Sequence, residues 1–399
     1  MTVESAVEPR VFNTGERAGY DTKFHLANAT RQAEERGFRD ILIVDADAHH
    51  LNEMTHYREI AKYVEDDVLR NEIFMGERSG LMYPGFRSPQ RHSLSGRILR
   101  YRNEDRETFE AAEKHAEAEF SLKEMQAIGI DYQVVFPTAL LALGMHPDPF
   151  IESQLAWAYS RWLVEEVLPG SPYLKTMIYL PMNQPEDCVR FVEEFGDKPG
   201  VVGFMVTSAR YKPVHANPYM PLYRALEERG LPLSFHAIYH QQERMFEGMN
   251  RFLSVHALGF IFYNLVHMTN MVINGIPERF PKLKLLWIES GLAWIPFLMQ
   301  RLDNEYLMRS SEAPLLKRLP SEYMREMYYT TQPIENNDYE LLEMTLKKIN
   351  AETQLLFSSD YPHWDFNLPS TIYDLPFLSE TAKRRILGEN ARDLFRLER

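Results

Sequence analysis

Short apolar runs recur along the chain and alternate with segments of helical spacing. The first run, residues 41–44, is uninterrupted, as in strands buried on both faces of a parallel sheet. Seven similar runs follow, at residues 132–137, 175–181, 201–207, 232–236, 283–289, 327–331 and 354–360. Segments whose apolar residues have helical spacing separate many of these runs, as at residues 154–167, 186–195, 222–228 and 341–349.

Eight strands alternating with helices predict parallel pairing through right-handed crossovers, and eight strands close a barrel. We therefore expect an α/β fold, a (β/α)8 TIM barrel over residues 41–399. A doubly wound open sheet is the alternative, but no glycine-rich phosphate loop follows any of the runs.

The segments outside this alternation predict two additions to the barrel. Residues 1–40 are polar and without clear period, and we expect them to form a leader that packs on the barrel. The segment from residue 50 to about residue 120 separates the first two strands. It is too long for a loop without secondary structure, so we expect a cap insertion with its own helices.

The composition and charge of the chain limit its possible partners and its location in the cell. With 44 basic and 57 acidic residues the net charge is −13, which disfavours nucleic acid as a partner. The N-terminus lacks the apolar core of a signal peptide, and the apolar stretch at 255–276 holds too many polar groups for a lipid span. Cys188 is the single cysteine, so no internal disulfide forms. We expect a cytoplasmic protein without a membrane partner.

Ionisable residues stand where several predicted strands end. Asp45, Asp47 and His49 follow the first run, and His236, Glu289 and Asp360 end the fifth, sixth and eighth. The carboxyl ends of barrel strands surround the active site, and strand residues two apart face the same side. Imidazole and carboxylate ligands suit zinc, manganese or iron, so we predict a metal site.

Each residue also has a simpler interpretation. For Asp45 we favour a structural role, as a cap or as an acceptor for a backbone amide. For Glu289, metal ligation, acid–base chemistry and a structural hydrogen bond stay open. Glu53 and His256 are additional candidate ligands. The candidate acid–base residues are Asp360, Glu289, His240 and His363.

With these residues, the chain resembles the amidohydrolase superfamily, in its branch of aminocarboxymuconate-semialdehyde decarboxylase-like proteins. The resemblance covers roughly residues 41–397. Where the family has Asp-x-His-x-His, this chain has Asp45-Ala-Asp47-Ala-His49, and the fifth-strand histidine matches His236. The eighth-strand aspartate matches Asp360 in the sequence SSDYPHW. Further similar pieces are residues 280–284, 329–334 and 389–395.

Two departures from the family pattern bear on the metal. Many branch members have a histidine where this chain has Glu289, and dinuclear members use a carboxylated lysine from the fourth strand, where residues 202–207 contain none. The resemblance therefore implies one divalent ion, with zinc or manganese first. The surplus of carboxylates and histidines keeps iron, as one ion or two, as the alternative.

The resemblance implies decarboxylation or hydrolysis of a small organic substrate, with carboxylated aromatic compounds among the candidates. Two alternatives remain open: a dinuclear-iron oxygenase using Asp47, His49, Glu53, His236, Glu289, Asp360 and His256, and an inactive ligand-binding barrel.

The cap segment bears on the substrate. Residues 78–106 hold seven arginines, no lysine and two acids. Arginine forks bind carboxylate or phosphate, so Arg91 and Arg97 are candidates for recruiting an anionic substrate, although a solvated surface loop explains the same charges. Trp364 is a candidate pocket wall. Exposed apolar helices of barrels commonly pair, and we expect a homodimer.

Overall fold

The core of the molecule is a single eight-stranded parallel sheet whose strands neighbour one another in chain order. The computed structural model describes residues 22–50, 53–75, 114–207, 212–238, 246, 248–249, 252–363 and 365–398. The strands are β1 (Val44–His49), β2 (Tyr132–Phe136), β3 (Leu174–Tyr179), β4 (Val201–Thr207), β5 (Leu233–His236), β6 (Leu285–Ile288), β7 (Tyr328–Thr330) and β8 (Leu355–Leu356).

Main-chain hydrogen bonds between β1 and the segment that follows β8 close the barrel. The amide of Ala46 donates to the carbonyl of Phe357 at 2.9 Å, and the amide of His49 donates to Tyr361 at 2.8 Å. In the other direction, the amide of Asp360 donates to the carbonyl of Asp47 at 2.8 Å. This seam between β1 and the segment after β8 therefore brings Asp360 directly against Asp47 and His49 of β1. The predicted (β/α)8 barrel is confirmed.

Helices surround the strands. In the described residues they are α1 (Thr22–Arg36), α2 (Tyr57–Ala61), α3 (Asp67–Met75), α4 (Ala116–Ile128), α5 (Pro149–Trp162), α6 (Pro185–Phe195), α7 (Met220–Arg229), α8 (Phe252–Ile273), α9 (Ile276–Arg279), α10 (Trp294–Arg309), α11 (Pro320–Met324), α12 (Tyr339–Lys348), α13 (Ala351–Gln354), α14 (Ser370–Tyr373), α15 (Glu380–Arg384) and α16 (Asn390–Phe395). None of these helices is both long and apolar enough to cross a membrane.

Apolar packing fills the space between the barrel wall and the helices. Phe235 of β5 and Trp287 of β6 are paired in register and stack with ring centroids 4.5 Å apart. His267 of α8 lies against the same Phe235 ring, at 5.8 Å. Along β5, the side chains that face the surrounding helices alternate with those of Ser234 and His236, which face the barrel interior.

The predicted first strand is wrong by three residues at its start, since β1 spans Val44–His49 instead of residues 41–44. The apolar run leads into the strand, and the polar motif is the strand itself, buried over its whole length. Such burial is tolerated because the polar side chains have partners inside the protein. The pattern of apolar residues alone therefore places the start of β1 too early in the sequence.

Helices lie within the segments predicted as leader and cap. α1 packs on α4, and Arg36 Nη2 lies 2.7 Å from Asp374 Oδ2 near the C-terminus. α2 and α3 lie between β1 and β2 in the sequence. The domain boundaries at residues 40 and about 120 stay predictions.

Candidate metal centre

Four buried side chains converge at the carboxyl end of the barrel: Asp47 and His49 of β1, His236 of β5 and Asp360 after β8. Asp47 Oδ1 lies 3.3 Å from His236 Nε2 and 3.5 Å from His49 Nε2. His49 Nε2 lies 3.2 Å from Asp360 Oδ1. The structure thus brings together residues that lie more than 300 positions apart in the sequence.

A register shift on β1 decides which residues of the motif face this centre. Before the shift Asp45 pairs with Gln133, and after it His49 pairs with Phe136, whose ring lies against His236. Such a bulge re-aims the side chains that follow it. Asp47 and His49 consequently face the centre, whereas Asp45 is directed elsewhere.

Asp45 has the structural role expected of it. Its Oδ1 accepts the amides of Ser359 and Asp47, and its Oδ2 accepts the hydroxyl of Ser359 at 2.5 Å. Burial nevertheless raises the pKa of Asp45 to about 7 against these hydrogen bonds. Asp45 therefore fixes the segment that carries Asp360.

Backbone carbonyls set the tautomers of the two histidines. His49 Nδ1 lies 2.8 Å from the carbonyl of Pro137, and His236 Nδ1 lies 2.9 Å from that of Ala237. A carbonyl only accepts, so each Nδ1 carries a hydrogen, and Nε2 is the atom whose lone pair the neutral ring would present to the centre. Metal-binding histidines are commonly oriented in this way by a second hydrogen bond.

The charges at the centre suit a divalent ion. Burial raises the pKa of Asp47, but the neighbouring His236 and His49 outweigh burial and hold it below its ordinary value. Burial, reinforced by His363, lowers the pKa of His49. A carboxylate and a neutral imidazole are the forms that bind metal.

Unsatisfied oxygens support the same conclusion. In the part of the chain that the structure describes, Oδ2 of Asp47 and Oδ2 of Asp360 are buried and have no hydrogen-bond partner. Burying such atoms without a partner costs free energy, which a bound cation recovers. The donor set of two imidazoles and two carboxylates fits zinc, manganese or iron.

His363 adds a second polar group beside Asp360. Its Nδ1 lies 2.7 Å from Asp360 Oδ1, and its ring packs on His49 with centroids 4.1 Å apart. Its Nε2 lies 3.3 Å from the hydroxyl of Thr138. Burial raises the pKa of Asp360 to about 8, although His49 partly opposes this. Asp360 and His363 together can therefore hold and pass a proton.

Two further candidates, Glu289 and His256, are not among the converging ligand atoms of the described residues. Glu289 Oε2 is 3.5 Å from His236 Nδ1, on the side of the ring away from Asp47. His256 of α8 has its Nε2 3.5 Å from Asp365 Oδ2. Their predicted roles as ligands stay predictions, as does the acid–base role of Glu289.

The remaining sequence-based candidates lie outside the described residues. These are His240, Arg91, Arg97 and Trp364, together with the side chain of Glu53.

Several groups at this end of the barrel are not ionisable side chains, and the strand-end pattern of ionisable residues did not predict them. The carbonyls of Pro137 and Ala237 orient the histidines, and Thr138 contacts His363. Thr207, which ends β4, is fully buried at the same end of the barrel. Main-chain carbonyls leave no signal in the sequence, whereas a polar residue that ends an apolar strand does, and Thr207 could have been found in this way.

The amidohydrolase family profile matches residues 21–397, almost the whole chain. The chain belongs to the amidohydrolase family. The resemblance predicted from the strand-end motifs is therefore confirmed.

Relatives of this amidohydrolase are decarboxylases, as the predicted branch implies. Gamma-resorcylate decarboxylase of Polaromonas sp. (strain JS666 / ATCC BAA-500) is 24% identical over 249 residues, covering 60% of this chain and 75% of the relative. The enzyme of the same name from Rhizobium sp. (strain MTP-10005) is 23% identical over 288 residues, covering 69% and 86%.

Solved structures share the barrel. The structure of 5-carboxyvanillate decarboxylase from Sphingomonas paucimobilis matches with a TM-score of 0.64 at 21% identity, covering 90% of this chain and 100% of its own. Dihydroxybenzoic acid decarboxylase from Polaromonas sp. JS666, with bound manganese and the inhibitor 2-nitroresorcinol, matches at 0.62 and 20%, covering 90% and 97%. With the family assignment, these findings confirm a metal-dependent enzyme of this superfamily that acts on a small organic substrate.

Proposed function

We propose that this amidohydrolase decarboxylates a hydroxylated aromatic acid with one divalent ion, manganese, held by Asp47, His49, His236 and Asp360. The observation that carries the proposal is the buried set of two imidazoles and two carboxyl groups at the carboxyl end of the barrel. The relatives support the reaction, and the manganese in a solved relative supports the metal.

In such a reaction a bound ion would supply positive charge that holds the carboxylate and a neighbouring oxygen of the substrate. The remaining chemistry is a proton transfer: the bond from the ring carbon to the carboxylate breaks, carbon dioxide leaves, and a proton joins the ring carbon. Asp360 and His363 share a 2.7 Å hydrogen bond and are placed to deliver that proton. Asp45 and Ser359 keep Asp360 in position through the contacts across the seam.

The same groups would serve hydrolysis, with Asp360 taking a proton from water, so the experiment must separate the two reactions. Protein loaded with manganese would be given 2,6-dihydroxybenzoate and 5-carboxyvanillate, and carbon dioxide release would be measured alongside metal content. We expect about one manganese per chain and release of carbon dioxide from at least one acid.

Hydrolysis of esters or amides without carbon dioxide release would overturn the decarboxylase proposal. Close to two irons per chain with oxygen consumption would instead revive the oxygenase alternative. Recruitment of the acid by Arg91 and Arg97 stays a prediction within this proposal, and charge reversal at either position with an unchanged KM would remove it.

A further inference from the structure

Thr207 occupies a position next to the metal centre that no ionisable residue fills. It is the last residue of β4, and it pairs in register with His236 of β5. Residues paired in register on neighbouring parallel strands direct their side chains to the same face, about 4.8 Å apart. The Thr207 side chain therefore lies in the barrel interior beside the His236 imidazole.

The hydroxyl of Thr207 is buried without a partner. Its side chain is fully buried, and in the described part of the chain its Oγ1 has no hydrogen bond. Other buried threonines of the barrel are satisfied. Thr176 of β3 donates to the carbonyl of Val135 at 2.8 Å, and Thr330 of β7 accepts the amide of Glu289 at 3.1 Å.

An unsatisfied buried hydroxyl is destabilising, so its presence needs a reason other than packing. Valine has nearly the same shape and would fill the same space without the polar atom. The neighbours of Thr207 on the interior face of β4 are Met205 and Gly203, which supply no polar atom from their side chains. Its hydroxyl is thus the polar side-chain group that β4 offers to whatever occupies the centre.

We propose that the Thr207 hydroxyl donates a hydrogen bond to an oxygen of the aromatic acid bound at the metal centre, and so selects substrates that present an oxygen there. This inference rests on the proposed function. It assigns Thr207 as a substrate-binding residue and leaves metal binding to Asp47, His49, His236 and Asp360.

The test compares Thr207→Val with Thr207→Ser and with the matched control Thr176→Val. Thr207→Val should lower kcat/KM by roughly tenfold to a hundredfold, because a site built to hydrogen-bond an oxygen loses that bond. Its manganese content and its Tm should not fall, since the change removes an unsatisfied group. Thr207→Ser should keep most of the activity.

Thr176→Val should show the opposite pattern, a lower Tm with unchanged kcat/KM per folded molecule, since it breaks a structural hydrogen bond. Equal kcat/KM for Thr207→Val and the wild type, or a Tm loss in Thr207→Val matching that of Thr176→Val, would overturn the inference.

A second measurement separates this inference from the proposed function. If the wild type releases no carbon dioxide, the decarboxylase proposal fails. The role of Thr207 is then decided by a binding measurement, the rise in Tm that 2,6-dihydroxybenzoate causes in the presence of manganese. A rise in the wild type that disappears in Thr207→Val and returns in Thr207→Ser supports the inference. An equal rise in all variants, or none in the wild type, overturns it.

Discussion

Two acidic residues beside the metal centre adopt a backbone conformation that residues other than glycine rarely take. Glu289 has φ 57° and Asp360 has φ 60°, both in the left-handed region. Each such residue costs about 1–3 kcal/mol and persists only where its surroundings impose it. For Asp360 the surroundings are the hydrogen bond from its amide to the carbonyl of Asp47 and the Asp45–Ser359 contacts. This backbone conformation therefore places the carboxylate of Asp360 between His49 and His363.

Replacing Asp360 by asparagine tests its proton-transfer role at the scale of one residue. Asp360→Asn keeps the side-chain shape but cannot release or accept a proton, so kcat should fall by about 10²–10⁴-fold. Because burial raises the pKa of Asp360 to about 8, ionised Asp360 opposes folding, and the metal-free variant should have a Tm no lower than the wild type.

Steady-state kinetics and thermal unfolding would be measured together. Asp374→Asn is the matched control, because Asp374 lies in an exposed ion pair with Arg36. It should leave kcat unchanged. A kcat for Asp360→Asn within threefold of the control would remove Asp360 from the proton transfer.

At the scale of elements, a network of histidines and carboxylates joins the start of the cap to α4. His56 lies between Glu59 and Glu117, with Nδ1 3.2 Å from Glu59 Oε2 and Nε2 3.5 Å from Glu117 Oε1. His115 Nε2 lies 2.9 Å from Glu59 Oε2, and His50 Nδ1 lies 3.4 Å from Glu117 Oε2.

The spacing of His56, Glu59 and His115 would suit a metal, but the tautomer of His115 argues against one. His115 caps α4 by accepting the amide of Glu117 on Nδ1, so its Nε2 carries the hydrogen and donates to Glu59. The network therefore fastens α2 to α4 through hydrogen bonds and ion pairs.

These ion pairs predict a pH dependence of stability. Burial raises the pKa of Glu117, but His50 and His56 outweigh it, and the net pKa is lowered well below the usual range. Burial lowers the pKa of His56, but Glu117 and Glu59 outweigh it, and the net pKa is raised.

The contribution of Glu117 is present above about pH 4.5 and is lost as pH falls further, towards its lowered folded pKa. The contribution of His56 is present below pH 6.5 and is lost as pH rises through its raised folded pKa. Both are present between these values.

The variant His56→Gln should therefore lose stability on the order of 1 kcal/mol near pH 5.5 and less near pH 9. Urea unfolding at both pH values measures this difference. His215→Gln, a change at a half-buried histidine outside the network, serves as the control. A loss for His56→Gln that is the same at both pH values would contradict the ion-pair interpretation.

At the scale of the whole molecule, the proposed metal ligands come from both sides of the barrel seam and from the wall beyond it. Asp47 and His49 lie on β1, Asp360 follows β8, and His236 lies on β5. An ion bound to all of them would link strands that are distant in the sequence. Ligand binding to the folded state alone stabilises it by mass action.

Manganese at 100 times its dissociation constant should therefore stabilise the protein by about 2.7 kcal/mol, and chelation should remove that gain. Asp47→Asn should abolish the manganese-dependent rise in Tm, because it removes the charge of a fully buried ligand. Calorimetry with and without manganese provides the measurement, and Asp374→Asn should respond like the wild type. A full response in Asp47→Asn would place the ion elsewhere. The expected homodimer stays a prediction.

The sequence alone predicted the barrel and the types of residue at its strand ends, because these depend on periodic burial and on residue type. Eight apolar runs predicted eight strands, and the β4 prediction coincides with Val201–Thr207. His236 and Asp360 were identified because an ionisable residue that ends an apolar strand is uncommon unless it has partners. The family resemblance rested on the same residues.

Only the tertiary structure decided which polar residues meet and in which protonation state. The bulge that separates Asp45 from Asp47 depends on pairing with β2, and the tautomers of His49 and His236 depend on carbonyls of other segments. The start of β1 was misplaced because hydrogen bonds across the seam allow a polar strand to be buried. The unsatisfied hydroxyl of Thr207 likewise follows from its surroundings, since no sequence pattern shows whether a buried donor finds an acceptor.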